Sequence, residues 1–373
     1  MVTAASALQR ITILAPLSEI LSKIEASVSP VAATIAVSDA AVGLVLAADV
    51  IAPASLPPYA IALQDGWAVS SETITDASAY APAVLTPAPD WLHAGQALPR
   101  SADAVLAPDA ASIANGYAEI HASAARGEAV LAAEGHFAKG ATVCRAGDRL
   151  RAIDCAILRA LNVKKISVHA PRIKVVSATT VESGEDVISP FIASIVRTRG
   201  GIPEFVRGAH VEAVFSGPDA DAVIVVGGSG MGRNDSSVHS LARFGRVDFH
   251  GFAISPGQTA AFGGIGACPV LVLPGRVDAA LAAFLSVGDA LMTRLTGART
   301  PKPGTHVRLA KKVTSTIGLS EIIFVRHTDD GVEPLGTGFF PLQALARASG
   351  WILVPPASEG LAAGASVEVR ELP

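Results

Sequence analysis

Apolar positions along this chain follow two rhythms, and the change between them falls near Arg172. Before that point the apolar runs are short and broken by Pro and Gly. Leu17, Ile20, Leu21 and Ile24 recur at helical spacing behind Pro16, a residue suited to a first helical position, so residues 16–26 are expected to form an amphipathic helix. Ile35 and Val37, then Val42, Leu44 and Leu46, alternate as strand residues do. The helical period returns at Ile153, Ala156, Ile157, Ala160 and Leu161, and Ile166–His169 reads as a strand.

After Arg172, strand and helix patterns alternate. Strands are expected over 173–178, 202–206, 222–226, 247–254 and 270–273, and a helix over 188–199. A final helix over 277–296 carries Ala280, Phe284, Val287, Leu291 and Leu295 along one face. Such alternation predicts an α/β domain with a doubly wound sheet, and the whole chain is read as α/β multidomain. Residues 301–304 (Pro-Lys-Pro-Gly) read as a linker to a small β barrel or sandwich. The expected organisation is therefore an N-terminal helix (1–29) packing on the α/β domain, and a β-ribbon module from 30–53 and 140–170. A small mixed or β domain (54–139) is inserted in that ribbon, followed by the α/β domain (171–300) and a C-terminal β barrel (301–373).

Composition narrows the class. Of 373 residues 50% are hydrophobic and only 5% aromatic, with Ala, Val and Gly carrying the apolar content. Pro and Gly interrupt the uncharged runs before any makes a span of about 20 apolar helical residues, so no membrane partner is expected. A net charge of −4 argues against nucleic acid. Cys144, Cys155 and Cys268 form no CxxC pair and are odd in number, as expected of reduced thiols in the cytoplasm. Charge is uneven: Ile24 to Pro99 holds no Lys or Arg, whereas cations are frequent from Lys139 to Arg207. That asymmetry suits an acidic module facing a basic one, within a chain or across a homodimer.

Candidate chemistry gathers at strand ends. The run Ala222–Val226 empties into Gly227, Gly228, Ser229, Gly230 and Gly232, with Asp235 where a helix N-cap belongs. A glycine loop between a strand end and a helix start suits an anion. Two further loops follow apolar runs, at Pro256-Gly257 and at Pro274-Gly275-Arg276. Three such loops in series point to one pocket at the carboxyl edge of a parallel sheet. Two readings stand for Arg276: a fork donor to an oxyanion such as phosphate, or an ion-pair partner of Asp278 or of the acidic domain. Asp65 reads either as a site carboxylate or as a turn-capping residue before Gly66.

The order of these signals resembles the molybdopterin molybdenumtransferase family of the MoeA type, related to the E domain of gephyrin. Pro57-Pro58-Tyr59 through Gln64-Asp65-Gly66-Trp67-Ala68-Val69 is similar to its P-x-F-D-N-S-A-M-D-G-Y-A-V segment. Gly227 to Asp235 resembles its G-G-V-S-V-G-x-x-D loop. Ser255-Pro256-Gly257-Gln258 stands where that family has K-P-G-K-P, and Leu273-Pro274-Gly275-Arg276 where it has L-P-G-N-P. The resemblance implies a cytoplasmic protein of molybdenum cofactor biosynthesis that takes molybdate and adenylylated molybdopterin with magnesium. It also implies Asp65 and Asp235 as catalytic carboxylates, Asp235 as metal ligand, and the three loops as the molybdopterin site.

The departures are concentrated in charged and polar positions. Ala60-Ile61-Ala62 replaces the Asp-Asn-Ser triplet, and Ser255 and Gln258 replace two lysines. The Asp-Glu pair of the S-T-G-D-E-L turn falls on Thr180-Val181, with Glu182 one residue on. What survives shapes the backbone, so the pocket frame is expected with weak or altered transferase activity. The alternatives are an inactive molybdopterin carrier or insertion partner for a molybdoenzyme, or a scaffold.

Overall fold

The computed structural model describes residues 9–178, 185–207, 211–233, 235–299 and 304–373. The chain separates into two compact units, one reaching to Ala48 and adding Ala146–Ala152 and Lys165–Pro373, the other Asp49–Arg145 and Ile153–Lys164.

The first unit is built on a six-stranded sheet of β1 (Arg172–Ser177), β2 (Ile202–Val206), β3 (Ala222–Val226), β4 (Arg246–His250), β5 (Ala261–Ile265) and β6 (Cys268–Leu273), in the order β2-β1-β3-β6-β5-β4. β2, β1, β3 and β6 run parallel, while β5 and β4 are antiparallel to their neighbours. All five residues of β3 are buried, as a central strand covered on both faces requires. On one face Ile173, Val175 and Ile224 pack with the helices Leu17–Ser27, Ile188–Thr198 and Val277–Thr296; on the other, Val176, Val223 and Val225 pack with Val211–Phe215 and Ser237–Phe244. Helices on both faces are the doubly wound arrangement that the alternation implied.

The helix Val277–Thr296 has the length and apolarity of a membrane span, but 72% of its apolar window is buried inside the fold. Ala280, Phe284, Val287, Leu291 and Leu295 are the stripe that faces the core. Its middle turn, Phe284–Gly288, is a π-helical segment.

One strand departs from expectation. The run 247–254 is not a single parallel strand: it splits at Gly251, whose φ of +96° ends β4. β4 is the antiparallel edge of the sheet, and Ile254–Ser255 instead pairs in parallel with Ser320–Thr328 of the C-terminal part. A contiguous apolar run carries no information on strand direction, so sequence periodicity could not separate the two pieces.

Residues 304–373 are β-rich. Ser320–Thr328 lies between Ile254–Ser255 and Gly350–Val354, and the ladder continues through Ser366–Glu371 to Thr305–Arg308. A single bridge, Leu309–Val332, relates the last strand to the hairpin strand Gly331–Pro334, so the sheet is curled without a full closing ladder. Its core (Phe324, Phe340, Trp351, Ile352) is continuous with that of the α/β sheet. The strand Ala32–Ala36 pairs with Lys165–His169, which also pairs with Val45–Leu46.

The second unit consists of small antiparallel sheets. Gly66–Val69 lies between Trp91–Leu92 and Ala104–Leu106, and Tyr117–Ile120 between Ala83–Leu85 and Ala111–Ala114. Their shared core is Val69, Ile74, Ala104, Leu106, Ala118 and Ile120. Val50–Ile51 pairs with Thr142–Cys144, and Ile61–Ala62 with Val130–Leu131.

Candidate functional site

The three glycine and proline loops converge. Gly228, Ser229, Gly230 and Asp235 line one wall of a cleft of about 330 Å³; Gly257, Gln258 and Thr259 line another, and Pro274, Gly275, Arg276 and Ala279 a third. β3 and β6 are adjacent, so the Gly227 and Pro274 loops leave neighbouring strand ends. The third loop comes from Ile254–Ser255, outside that sheet, and reaches the cleft by a different route from the one its sequence suggested. Gly227, Gly232 and Pro256 do not line the cleft; they shape it. The Gly227 amide donates to the Leu273 carbonyl (2.9 Å), which ties the first loop to β6. Gly228 sits at a φ of +66°, a left-handed conformation that favours glycine.

Asp235 is not the helix cap. The helix begins at Ser237, with Ser236 at the cap position and no side-chain bond from it. The Asp235 carboxylate instead accepts the Gly232 amide at 2.7 Å, closing the loop on itself. The cap is Gln9, 229 residues away from Val238: its Oε1 accepts the amides of Val238 (2.8 Å) and His239 (2.9 Å). Its Nε2 donates to the carbonyls of Gly228 (3.1 Å) and Gly230 (2.7 Å). The Ser237 amide donates to Gly228 O at 3.0 Å and that of Ser240 to Ser236 O at 2.9 Å, so this helix start offers no free amide to a ligand. Open donors lie in the loop instead: among the described residues the amides of Ser229, Gly230 and Met231 have no protein acceptor. Ser229 Oγ meets Thr259 Oγ1 at 3.1 Å across the cleft. His250 Nε2 donates to Ser229 O at 2.9 Å, which requires its Nε2–H form.

Arg276 satisfies one of its two readings outright. Nε and one terminal nitrogen grip the Asp278 carboxylate at 2.6 and 3.0 Å, and the guanidinium lies over the Phe339 ring. Asp278 is 1% exposed, while the Arg276 side chain keeps 53% exposure and still lines the cleft.

Asp65 belongs to the second unit and does not line this cleft. Its Oδ1 accepts the Ala94 amide at 2.8 Å and Oδ2 lies 3.4 Å from His93 Nδ1. The Ala94 bond first, then His93, hold its carboxyl below the usual range. The exposed carboxylate thus bonds the distant His93-Ala94 segment, not its own turn before Gly66 as the turn-capping reading had it. Nearby in sequence, Ile61–Ala62 is a short strand with Ala62 buried, while Ala60 and Ile61 stay partly exposed, so burial explains the apolar residue at one of the three positions. Glu182 and Thr180-Val181 lie outside the described residues.

Two family descriptions match the chain. The MoeA N-terminal region (domain I and II) matches residues 15–162, and a probable molybdopterin binding domain matches residues 173–293. The chain belongs to the MoeA family. A putative molybdopterin biosynthesis protein of Methanocaldococcus jannaschii is 26% identical over 365 residues, covering 88% of this chain and 89% of that protein. Molybdopterin molybdenumtransferase 2 of Mycobacterium tuberculosis is 25% identical over 383 residues, covering 88% and 93%. A crystal structure of the molybdopterin biosynthesis MoeA protein from Pyrococcus horikoshii superposes with a TM-score of 0.74 at 25% identity, covering 96% of this chain and 99% of that one. The cleft thus lies within the part of the chain that matches a probable molybdopterin binding domain.

Among the described residues, the donors of this cleft do not fit magnesium, which the MoeA resemblance implies. The ion prefers near-octahedral oxygen ligation. Among the described residues Asp235 is the one carboxylate lining the cleft, and one of its oxygens already accepts the Gly232 amide. Among the described residues, no group of three or more His, Cys, Asp or Glu is placed to hold a metal. Sequence reading missed Gln9, Thr259 and Ala279. Gln258 was visible only as a lost lysine.

Proposed function

We propose that this MoeA-family chain binds molybdopterin through its phosphate in the cleft, and that it turns over slowly or not at all as a molybdenumtransferase. The observation that carries the reading is the cleft's donor set among the described residues: loop amides, Ser229, Thr259 and a single arginine already gripped by Asp278. Amide and hydroxyl donors suit a phosphate ester. Transfer of molybdate with release of AMP also calls for countercharge near the phosphate and oxyanion. Ser255, at one former lysine position, is buried, and Gln258 at the other is neutral.

In this reading the Ser229 and Gly230 amides bind the phosphate, the Ser229 and Thr259 hydroxyls orient it, and Arg276 supplies residual positive charge. Among the described residues lining the cleft, Asp235 alone carries a carboxylate that could accept or return a proton. Loss of one general acid or base costs on the order of 10²–10⁴-fold in rate. The test supplies adenylylated molybdopterin, molybdate and magnesium to the purified protein and follows AMP release. Binding with AMP release at least a hundredfold below a full-motif family member is the expected result, and it supports a carrier or insertion partner for a molybdoenzyme. Turnover equal to such a member overturns the reading, and absence of binding reduces the chain to a scaffold. The same proposal carries a cytoplasmic homodimer with the module division set out from sequence; sedimentation of a monomer at micromolar concentration removes the dimer.

A further inference from the structure

The segment 9–14 precedes the part of the chain that the family description matches, yet together with Ala15 it is docked on the cleft's supporting loops. Ala15 exchanges backbone hydrogen bonds with Gly251 and Ala253, both within 2.9 Å, and forms an isolated parallel bridge with Phe252. A Cβ on Gly251 would run into Ile11 and lie 3.1 Å from the Ile13 carbonyl, so the strap passes tightly over that glycine. At its far end Gln9, 3% exposed, makes four hydrogen bonds. Two are accepted by its Oε1 from helix amides, and two are donated by its Nε2 to loop carbonyls.

This socket is complementary to a neutral carboxamide and to nothing anionic, since Gly228 O and Gly230 O face the side chain. Its consequence for the loop follows from peptide planarity. The Gly228–Ser229 and Gly230–Met231 bonds are trans, so the amides of Ser229 and Met231 point opposite to the carbonyls that Gln9 holds. Gln9 is not among the cleft-lining residues, whereas Gly228, Ser229 and Gly230 are. Gln9 therefore pulls carbonyl oxygens to the back of the loop and turns amides away from itself. Without that grip, a glycine-rich loop is free to present carbonyls to an incoming phosphate, which would repel it.

We propose that Gln9 is a positioning residue for phosphate binding, acting through the glycine loop from behind. The proposal rests on the reading that molybdopterin binds in this cleft. The experiment compares wild type with Gln9→Met, which keeps side-chain volume and removes both donor and acceptor. Molybdopterin affinity is measured at a temperature where circular dichroism shows both proteins folded. Affinity at least tenfold weaker in Gln9→Met is expected; affinity within twofold of wild type overturns the proposal, even if the melting temperature falls. Amide hydrogen exchange provides a second measurement on the wild-type protein without ligand. Val238 and His239 should be protected and the Ser229 and Met231 amides open; fast exchange at Val238 and His239 overturns the clamp itself. Failure of wild type to bind molybdopterin, with those amides still protected, sinks the cleft reading and leaves the clamp standing.

Discussion

Arg276 and Asp278 form a two-pronged ion pair at the mouth of the cleft, with Nε–Oδ1 at 2.6 Å and a second bond at 3.0 Å to Oδ2. The same Oδ2 accepts the Phe340 amide at 2.9 Å, so one buried carboxylate joins the Pro274 loop to the C-terminal part of the chain. Both partners should respond to truncation. Asp278→Ala orphans a buried amide and is expected to lower stability by about 2–3 kcal/mol in a urea melt. Arg276→Ala leaves a buried carboxylate without its counter-ion and should cost a similar amount, about 2–3 kcal/mol. A loss below about 0.5 kcal/mol for Arg276→Ala would show that solvent reaches the carboxylate once the arginine is gone.

The same geometry limits what Arg276 can give a ligand. Most of its fork is turned to Asp278, so Arg276→Ala should weaken phosphate or molybdopterin binding by at most about tenfold, the low end for a charged hydrogen bond. Calorimetry giving a hundredfold loss would mean that the pair opens when ligand arrives.

Much of this frame was legible in the residues. β3 is an unbroken apolar run, β-branched from Val223 onward, and the Val277–Thr296 helix shows its core stripe at helical spacing, because the apolar pattern reports burial directly. The convergence of three loops was legible because glycine and proline mark strand ends. The route of the third loop was not: only pairing of Ser255 with Glu321, 66 positions on, places it. The helix cap was hidden for the same reason. Asp235 stands at the right sequence distance, but the bonds are made by Gln9, whose partners no local pattern reveals.

Gly66 should tolerate no side chain. A Cβ there would overlap the Leu106 carbonyl oxygen of the neighbouring strand and come within 3.2 Å of Val105. The obstacle is backbone, so it cannot rotate away. Gly66→Ala is expected to destabilise the second unit by about 3 kcal/mol, at the upper end for overpacking. A melt unchanged within error would show that the strand Ala104–Leu106 shifts freely.

Acid should unlock the turn at Asp103. The Ser71 amide (2.7 Å) first, then the Ser71 hydroxyl and Arg126, hold this carboxyl below its usual range. A depressed native value means that the unfolded chain binds the proton more readily. Stability from Asp103 is therefore present above its unfolded value, about 3.9, and is lost as pH falls through the lower native one. Asp103→Asn should flatten the fall in melting temperature below pH 4. An unaltered acid slope would remove Asp103 from the account.

Cys268 should be a poor nucleophile despite partial exposure. Burial, reinforced by Asp221, pushes its thiol up to about 11. At pH 8 the thiolate fraction is then on the order of 10⁻³, well below that of an ordinary cysteine. Iodoacetamide at pH 8 should leave Cys268 largely unmodified in the folded protein and label it on unfolding. Rapid native labelling, read by mass spectrometry, would contradict this.

Gly228 is where backbone conformation and cleft shape meet most directly. Its φ of +66° penalises any side chain, and a Cβ would collide with the Ser237 hydroxyl that donates to Gly227 O at 2.9 Å. Gly230 is less constrained: its added Cβ would lie 2.7 Å from Asp235 Oδ2, the end of a side chain on an exposed turn. Gly228→Ala is expected to cost about 2 kcal/mol from the left-handed conformation together with the clash, and to abolish molybdopterin binding. Gly230→Ala should weaken binding while leaving the melting temperature within a few degrees of wild type. If Gly228→Ala binds normally, the loop is not held in the conformation described, and the cleft's amides are not its phosphate donors.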